Sequence, residues 1–200
     1  ASDLDSDGDE DLVGANWGLN SRLRTEGGPL RLHVGDFDGN GRIDPLLSVM
    51  NGGRSLPFAL RNELTGQLPS LKREYLTPST YVGKRVEDLL TPAQLERATV
   101  FEASELASVV VLNEGDAWRA RRLPFEAQLS PMVALLALDA DGDGALDLLM
   151  AGNRDALKPD LGRLAASAGA YLRGDGRGGF ATVAGGVSGF VVRGETRQLV

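Results

Sequence analysis

One nine-residue pattern, with an acidic side chain at nearly every second position, occurs three times in this 200-residue chain, at residues 3–11, 36–44 and 139–147. The copies read DLDSDGDED, DFDGNGRID and DADGDGALD. Carboxylates packed this densely repel one another unless a hard cation neutralises them, and Ca²⁺ takes six to eight oxygen ligands. Loops of this kind offer side-chain oxygens at positions 1, 3 and 5 and a carbonyl at position 7, while glycine at position 6 permits the sharp turn. The pattern therefore predicts three calcium-binding loops.

The flanking residues separate these loops from EF-hands. An EF-hand carries a bidentate Glu at position 12 and lies between helices, whereas position 12 here is Gly14, Leu47 and Met150. The last acid falls at position 9 instead, and apolar runs such as residues 30–34 and 133–138 precede the loops. Short apolar runs bounded by Gly and Asp favour strands. We predict strand–loop–strand units, with a metal-free acidic turn as the alternative for any single copy.

The amino-acid composition limits the kinds of partner that the chain can bind and the kinds of chemistry that its side chains can perform. The 28 acidic and 21 basic residues give a formal charge of −7, and an acidic chain without a basic stripe argues against a nucleic-acid partner. The chain has no cysteine, which excludes disulfides and thiolate chemistry, and one histidine cannot build a zinc cluster. No apolar run approaches the ~20 residues of a membrane span. By strand alternation His33 is expected on a sheet surface. Trp17 and Trp118 are expected in the core, with a sugar-binding rim as the alternative.

The long gap between the second and third loops predicts a helical insertion over residues 54–104. Leucines recur at every fourth position within residues 56–68, a spacing typical of a helix. A further helix is predicted over residues 79–90. Its buried side would consist of Val82, Val86 and Leu89. Residues 91–94 have the N-cap, the proline and the capping-box partner that begin another helix. We expect a side lobe packed on a sheet, with a recognition lobe as the alternative.

Two β-hairpins are predicted after the insertion. One pairs residues 107–113 with 117–121, and the other pairs residues 169–173 with 180–183 across a glycine-rich turn. Several strands in each repeat of roughly 40–60 residues indicate propeller blades. The second turn contains Arg-Gly-Asp, the tripeptide that integrins recognise, at residues 173–175. Turn geometry already explains its glycine, so we do not predict adhesion through it. The strand that follows also excludes a dinucleotide-binding loop there.

The residues at the two ends of the chain suggest that it begins and ends between two repeats. The first loop begins at the third residue, without a preceding strand, and residues 195–200 resemble a leading strand without a loop behind it. We interpret the chain as a fragment of a longer repeat protein. The alternative is that copies complement one another head to tail through exposed strand edges.

Residues 32–47 and 138–149 resemble FG-GAP/VCBS repeats, the calcium-bearing blades of integrin α-like β-propellers that are abundant in secreted bacterial proteins. The hairpin at residues 171–180 is similar to the blade-closing signature of that family. With residues 16–20, the resemblance is closest to bacterial VCBS-repeat proteins of the ASPIC/UnbV-associated type, and it covers nearly all the chain outside the helical segment. It implies a mainly β fold: residues 1–200 would be a fragment of one β-propeller domain, with about three to four blades and the helical insertion inside one blade.

The resemblance also implies a set of ligands for about three Ca²⁺ ions. The side-chain ligands would be Asp3, Asp5, Asp7 and Asp11 in the first loop, Asp36, Asp38, Asn40 and Asp44 in the second, and Asp139, Asp141, Asp143 and Asp147 in the third. The carbonyls of Asp9, Arg42 and Ala145 would complete the three sites. The second loop has Asn40 where the others have Asp, so fewer carboxylates should weaken its calcium binding.

The function expected from the resemblance is a non-enzymatic, calcium-stabilised scaffold for adhesion or for binding an extracellular protein or glycan. The other partners would be the remaining blades of the propeller or another copy of the chain. Extracellular modules bind Ca²⁺ at roughly 10⁻⁴–10⁻³ M, which favours an extracellular, cell-surface or periplasmic location in bacteria. The alternative is a carbohydrate-active or other hydrolytic propeller using paired carboxylates, with Glu102, Glu105 and Glu114 as candidates outside the loops.

Overall fold

The computed structural model describes residues 1–158 and 161–200. The chain is mainly β, with 31% strand and 17% helix, as the sequence predicted. Its strands form three antiparallel sheets, and none of these sheets is closed. The chain divides into two compact units, the first made of Ala1–Arg22 with Leu106–Val200 and the second of Leu23–Glu105. Within the described residues, every helix is too short or too polar to cross a membrane.

The elements are defined by the following bounds. The strands are β1 (Leu12–Gly14), β2 (Leu30–Gly35), β3 (Asp44–Asn51), β4 (Arg54–Pro57), β5 (Thr99–Ala103), β6 (Val109–Asn113), β7 (Trp118–Arg122), β8 (Met132–Leu138), β9 (Asp147–Gly152), β10 (Ala170–Gly174) and β11 (Phe180–Val183). The helices are α1 (Arg61–Gln67), α2 (Pro78–Tyr81), α3 (Val86–Leu89), α4 (Pro92–Arg97) and α5 (Gly185–Ser188), with 3₁₀ turns at Pro69–Lys72 and Phe125–Gln128.

The first unit contains two sheets that share one hydrophobic core. The strand order is β1-β6-β7 in one sheet and β11-β10-β9-β8 in the other. Val110 and Leu112 of β6 are buried together with Leu148 and Met150 of β9. Alternate residues of β6 point into this core, as the period of a half-buried strand requires. Both hairpins predicted after the insertion are present, as β6–β7 and β10–β11.

The second unit packs short helices against a sheet with the order β4-β3-β2-β5. Its core joins Leu46 of β3 to side chains from the helical segment. Leu64 and Leu68 are 1% and 2% exposed, and Tyr75 is 2% exposed. The leucine spacing therefore marked a buried helical stripe, although it is shorter than predicted.

Strands occupy both ends of the segment predicted as helical. Residues 54–57 form β4, which pairs with β3, because Gly52 and Gly53 adopt φ values of +57° and +73° and close a hairpin turn. At the other end β5 pairs with β2. The helices of this segment are thus confined to residues 61–97.

The helix predicted over residues 79–90 is interrupted. Gly83 adopts φ +75° between α2 and α3, a conformation that a right-handed helix cannot contain. Val82 is consequently 76% exposed, contrary to prediction, while Val86 and Leu89 are buried as predicted. The start of α4 is confirmed. Thr91 Oγ1 accepts a hydrogen bond of 3.3 Å from the Gln94 amide, and Gln94 Oε1 accepts one of 2.7 Å from the Thr91 amide.

Two expectations about single side chains were wrong. His33 is only 8% exposed, because the register of β2 and β3 places it beside Leu46 on the covered face of the sheet. Trp118 is 57% exposed, because β7 is an edge strand whose five residues are all exposed. Trp17 is half-buried, and its Nε1 donates to Ser21 Oγ at 3.1 Å. Residues 195–200, expected to be a leading strand, do not form a strand.

Candidate metal centres

The three acidic loops are closed by the same strand register. In each loop the residue before position 1 pairs with position 9. These pairs are Ser2 with Asp11, Gly35 with Asp44, and Leu138 with Asp147. The second and third loops connect β2 to β3 and β8 to β9, which confirms the predicted strand–loop–strand unit, and an isolated bridge closes the first.

The acid at position 9 is buried in every copy. Asp11 and Asp147 are 0% exposed, and Asp44 is 4% exposed. Each carboxylate accepts a hydrogen bond from the amide of position 2, at 2.8 Å from Leu4, 3.0 Å from Phe37 and 3.1 Å from Ala140. Burying a charge is costly unless it is paired or hydrogen-bonded. Position 9 therefore has a fixed orientation toward the start of its own loop.

Two of these buried acids also connect the loop to a neighbouring strand. The Asn113 amide at the end of β6 donates to Asp11 Oδ1 at 2.8 Å, and the Gly174 amide at the end of β10 donates to Asp147 Oδ1 at 2.9 Å. Asp44 has no second donor of this kind among the described residues. The first and third loops are thus held to their sheets at one more point than the second.

The acid at position 1 supports the turn from inside. Its two oxygens accept amide hydrogen bonds of 2.7–3.1 Å: Asp3 from Ser6 and Gly8, Asp36 from Asn40 and Gly41, and Asp139 from Gly142 and Gly144. The glycines at position 6 adopt φ values of +97°, +82° and +90°, as the sequence predicted. Hydrogen bonding and glycine together fold the loop inward.

Position 4 has a conformational requirement that the sequence analysis missed. Ser6, Gly39 and Gly142 adopt φ values of +64°, +75° and +79°. Glycine at this position in two of the three copies was the available signal. Ser6 is the exception and must adopt a left-handed conformation that costs a non-glycine residue about 1–2 kcal/mol.

The carboxylates at positions 1, 3 and 9 converge in every loop. In each triad, one carboxylate oxygen of each residue lies within 4.8 Å of those of the other two. The first triad is Asp3, Asp5 and Asp11, the second is Asp36, Asp38 and Asp44, and the third is Asp139, Asp141 and Asp147. Oxygen-only sites of this kind suit Ca²⁺ or Mg²⁺ rather than softer metals. These nine of the predicted ligand residues are therefore brought together by the fold.

Asp7 and Asp143, predicted ligands at position 5, do not belong to these triads. The side-chain oxygen of position 5 instead accepts the amide hydrogen of position 7. The pairs are Asp7 with Asp9 at 2.9 Å, Asn40 with Arg42 at 2.8 Å, and Asp143 with Ala145 at 2.9 Å. One side-chain oxygen at each position 5 is thus engaged within its own loop.

The first triad contains an oxygen whose environment fits a cation. Oδ1 of Asp5 is buried and has no hydrogen-bond partner among the described residues. Burial and the neighbouring carboxylates of Asp11 and Asp7 raise the pKa of Asp5. A buried, unpartnered carboxylate oxygen beside two further acids is disfavoured unless it is protonated or meets a positive charge. A hard divalent cation would satisfy all three side chains at once.

The acids considered for other chemistry are engaged elsewhere. Glu102 forms an ion pair of 2.7 Å with Arg31, and Glu114 forms one of 3.0 Å with Arg119. Asp175 of the Arg-Gly-Asp tripeptide accepts amide hydrogen bonds from Arg177 at 2.8 Å and Gly179 at 2.9 Å. Although burial acts in the opposite direction, these bonds lower the pKa of Asp175. The Asp175 carboxylate therefore stabilises its own turn.

Comparison with protein-family models, curated proteins and solved structures found no match to this chain. The geometry of the three loops is accordingly the main basis for inferring a function.

Proposed function

We propose that this chain is part of a calcium-binding β-propeller of the FG-GAP/VCBS type, serving as a non-enzymatic scaffold that binds an extracellular protein or glycan. The observation that carries the proposal is the threefold recurrence of one loop geometry, with equal register, the same hydrogen bond from the amide of position 2 to the acid at position 9, and three converging carboxylates within 4.8 Å. A simple acidic turn needs only local side-chain to backbone hydrogen bonds. Three facing carboxylates add mutual repulsion that a bound cation would remove.

The residues that would hold calcium are the acids at positions 1, 3 and 9. Position 9 is already fixed by its buried hydrogen bonds, and position 1 is fixed by the turn. Calcium binding to a site that the unfolded chain lacks adds directly to folding stability. The ions would therefore hold the hairpins in place, and ligand binding would be left to the exposed surfaces.

The sheet β8–β11 supports the propeller interpretation. Its four strands are antiparallel and adjacent in chain order, with the acidic loop between the first and second strands. Four-stranded antiparallel sheets of this kind are the blades of propellers. The packing of this sheet with β1-β6-β7 around one core is also the relationship expected of neighbouring blades.

The test is calcium titration by calorimetry on chelator-stripped protein, with thermal melts recorded with and without the ion. About three ions should bind, and Tm should rise. Asp5→Asn, which alters a converging acid, should lose one ion. Glu10→Gln in the same loop should lose none, because Glu10 is exposed and lies outside the triad.

The sign of the stability change gives a second criterion. Without calcium, Asp5→Asn should stabilise the chain, because it removes repulsion from Asp11 and Asp7. With calcium it should destabilise the chain relative to wild type. A variant that merely misfolds would be less stable in both conditions. Absence of calcium binding, or equal binding by both variants, would contradict the proposal.

A further inference from the structure

An open cleft of about 480 Å³ lies beside the second acidic loop. Asp36 and Asp38 line it from the loop, and Gln94 and Arg97 line it from α4. All these residues belong to the second unit. The volume falls in the range of small-molecule sites, roughly 300–1,000 Å³.

The helix is fixed to the loop through Gln94. Its Nε2 donates to the Phe37 carbonyl within the loop, while its Oε1 accepts hydrogen bonds from the Thr91 amide at 2.7 Å and the Thr91 hydroxyl at 2.8 Å. Nε2 thus joins α4 to the loop, while Oε1 fixes the start of the helix itself. Arg97 follows three residues later, so the same attachment sets its position at the cleft.

Arg97 brings a positive charge to the lining of the cleft. Its Nε donates to the Ala93 carbonyl at 3.1 Å, and it forms no ion pair among the described residues. A guanidinium presents a planar set of donors that matches a carboxylate. With calcium in the second loop, which is the function proposed above, a cation and a guanidinium would line the same cleft.

We propose that this cleft binds a carboxylated sugar, a uronate, when the second loop holds calcium. At its side-chain ligand positions 1, 3, 5 and 9 this loop has three carboxylates where the others have four, because Asn40 replaces an aspartate. Calcium and Arg97 together would balance these three acids, so an anionic ligand would not meet the net negative charge that remains at a calcium-loaded four-acid loop.

The shape and chemistry of the cleft favour a sugar acid over an acidic peptide side chain. The cleft is larger than a single carboxylate needs, and Gly39 leaves its rim open, since a Cβ there would meet no atom within 4 Å. Asp38 offers acceptor capacity that a sugar hydroxyl group can satisfy, since its Oδ1 accepts one amide hydrogen bond and its Oδ2 accepts none among the described residues. An aspartate or glutamate side chain has no such hydroxyl groups.

The test is titration of the calcium-loaded protein with digalacturonate, followed by NMR of the backbone and side-chain signals of Gln94 and Arg97. Arg97→Ala should weaken binding about tenfold or more, the effect of losing a charge-assisted hydrogen bond. Arg73→Ala is the matched control, because it removes one exposed positive charge from the same helical segment outside the cleft. The control should bind like wild type.

Calorimetry with calcium separates the two proposals. Arg97→Ala should keep the wild-type calcium stoichiometry, whereas Asp38→Asn should lose the ion of the second loop and digalacturonate binding together. If the second loop takes no calcium, the proposed function fails at that loop. If calcium binds normally but digalacturonate does not shift the signals, the cleft proposal alone is wrong. Equal binding of neutral digalactose or of an acidic hexapeptide would also overturn it.

Discussion

The phenol of Tyr171 donates a hydrogen bond of 2.9 Å to Oδ2 of Asp147, a carboxylate with no solvent exposure. The same oxygen accepts the Ala140 amide at 3.1 Å, and Oδ1 accepts the Gly174 amide at 2.9 Å. Asp147 therefore connects the third acidic loop, β9 and β10. Donors to a ligand carboxylate fix its orientation in a metal site.

Tyr171→Phe should destabilise the chain by about 1–2 kcal/mol, because it leaves a buried charged acceptor with one donor fewer. It should also weaken calcium binding at the third loop. Urea unfolding and calcium calorimetry measure the two effects. Tyr81→Phe is the control: it removes a hydroxyl that donates to the Ala59 carbonyl in the second unit and should leave calcium binding unchanged. Equal calcium binding by Tyr171→Phe and wild type would show that the phenol plays no part in the site.

The three tyrosines of the chain should ionise late. Burial raises the pKa of Tyr75, Tyr81 and Tyr171 to about 12 each, with further contributions from Glu74, Glu63 and Asp147 respectively. Absorbance titration of the folded protein should therefore show little tyrosinate near pH 10, where the unfolded chain ionises. Because the neutral form is favoured in the fold, stability should be full below pH 10 and should fall as the pH rises toward 12. A normal titration near pH 10 would contradict these environments.

Stability should also depend on His33 at mildly acidic pH. Burial, and then the positive charge of Arg31, lower the pKa of His33, and Glu87 opposes them. The unfolded chain therefore takes up a proton before the folded chain does as the pH falls below 6.5. Unfolding free energy should decline from about pH 7.5 to 5.5, and this component should be absent in His33→Gln. Because the chain has one histidine, NMR can follow the titration of the His33 imidazole without overlap. A pKa of His33 at or above 6.5 in the folded protein would show that it does not cause this pH dependence.

Exchanging the residues at position 4 should change stability in opposite directions. Ser6→Gly should raise the free energy of unfolding by about 1 kcal/mol, because Ser6 has φ +64°. Gly142→Ser should lower it by about the same amount, because Gly142 has φ +79°. Gly142 is a suitable reciprocal site because a Cβ there meets no atom within 4 Å, so the cost is conformational. Chemical denaturation of both variants in the presence of chelator measures these changes in the free energy of unfolding. A destabilising Ser6→Gly would mean that the serine hydroxyl matters more than the backbone.

Position 5 can be tested by exchanging Asn40 and Asp143. If position 5 contributes a ligand, Asn40→Asp should strengthen calcium binding at the second loop and Asp143→Asn should weaken it at the third, because the number of charged ligands tunes affinity. If position 5 only accepts the amide of position 7, as both side chains do here, neither exchange should change affinity appreciably. Calorimetric affinities resolved by site distinguish the two outcomes.

Periodic and local features of the sequence predicted much of the structure. The glycines at position 6, the start of α4 at Thr91 and the strand pairs β6–β7 and β10–β11 depend on neighbouring residues, and local rules describe such features well. The acidic spacing likewise identified all nine converging carboxylates, since a short loop with fixed register brings its own residues together.

Only the tertiary structure decided the features that depend on distant residues. His33 is buried because β3 places Leu46 beside it. The donors to Asp11 and Asp147 come from Asn113 and Gly174, which lie 102 and 27 residues away. A sequence alone reveals the acids that can face a cation, because their spacing is local. It does not reveal which strand ends reach those acids, because that depends on how the sheets pair and pack.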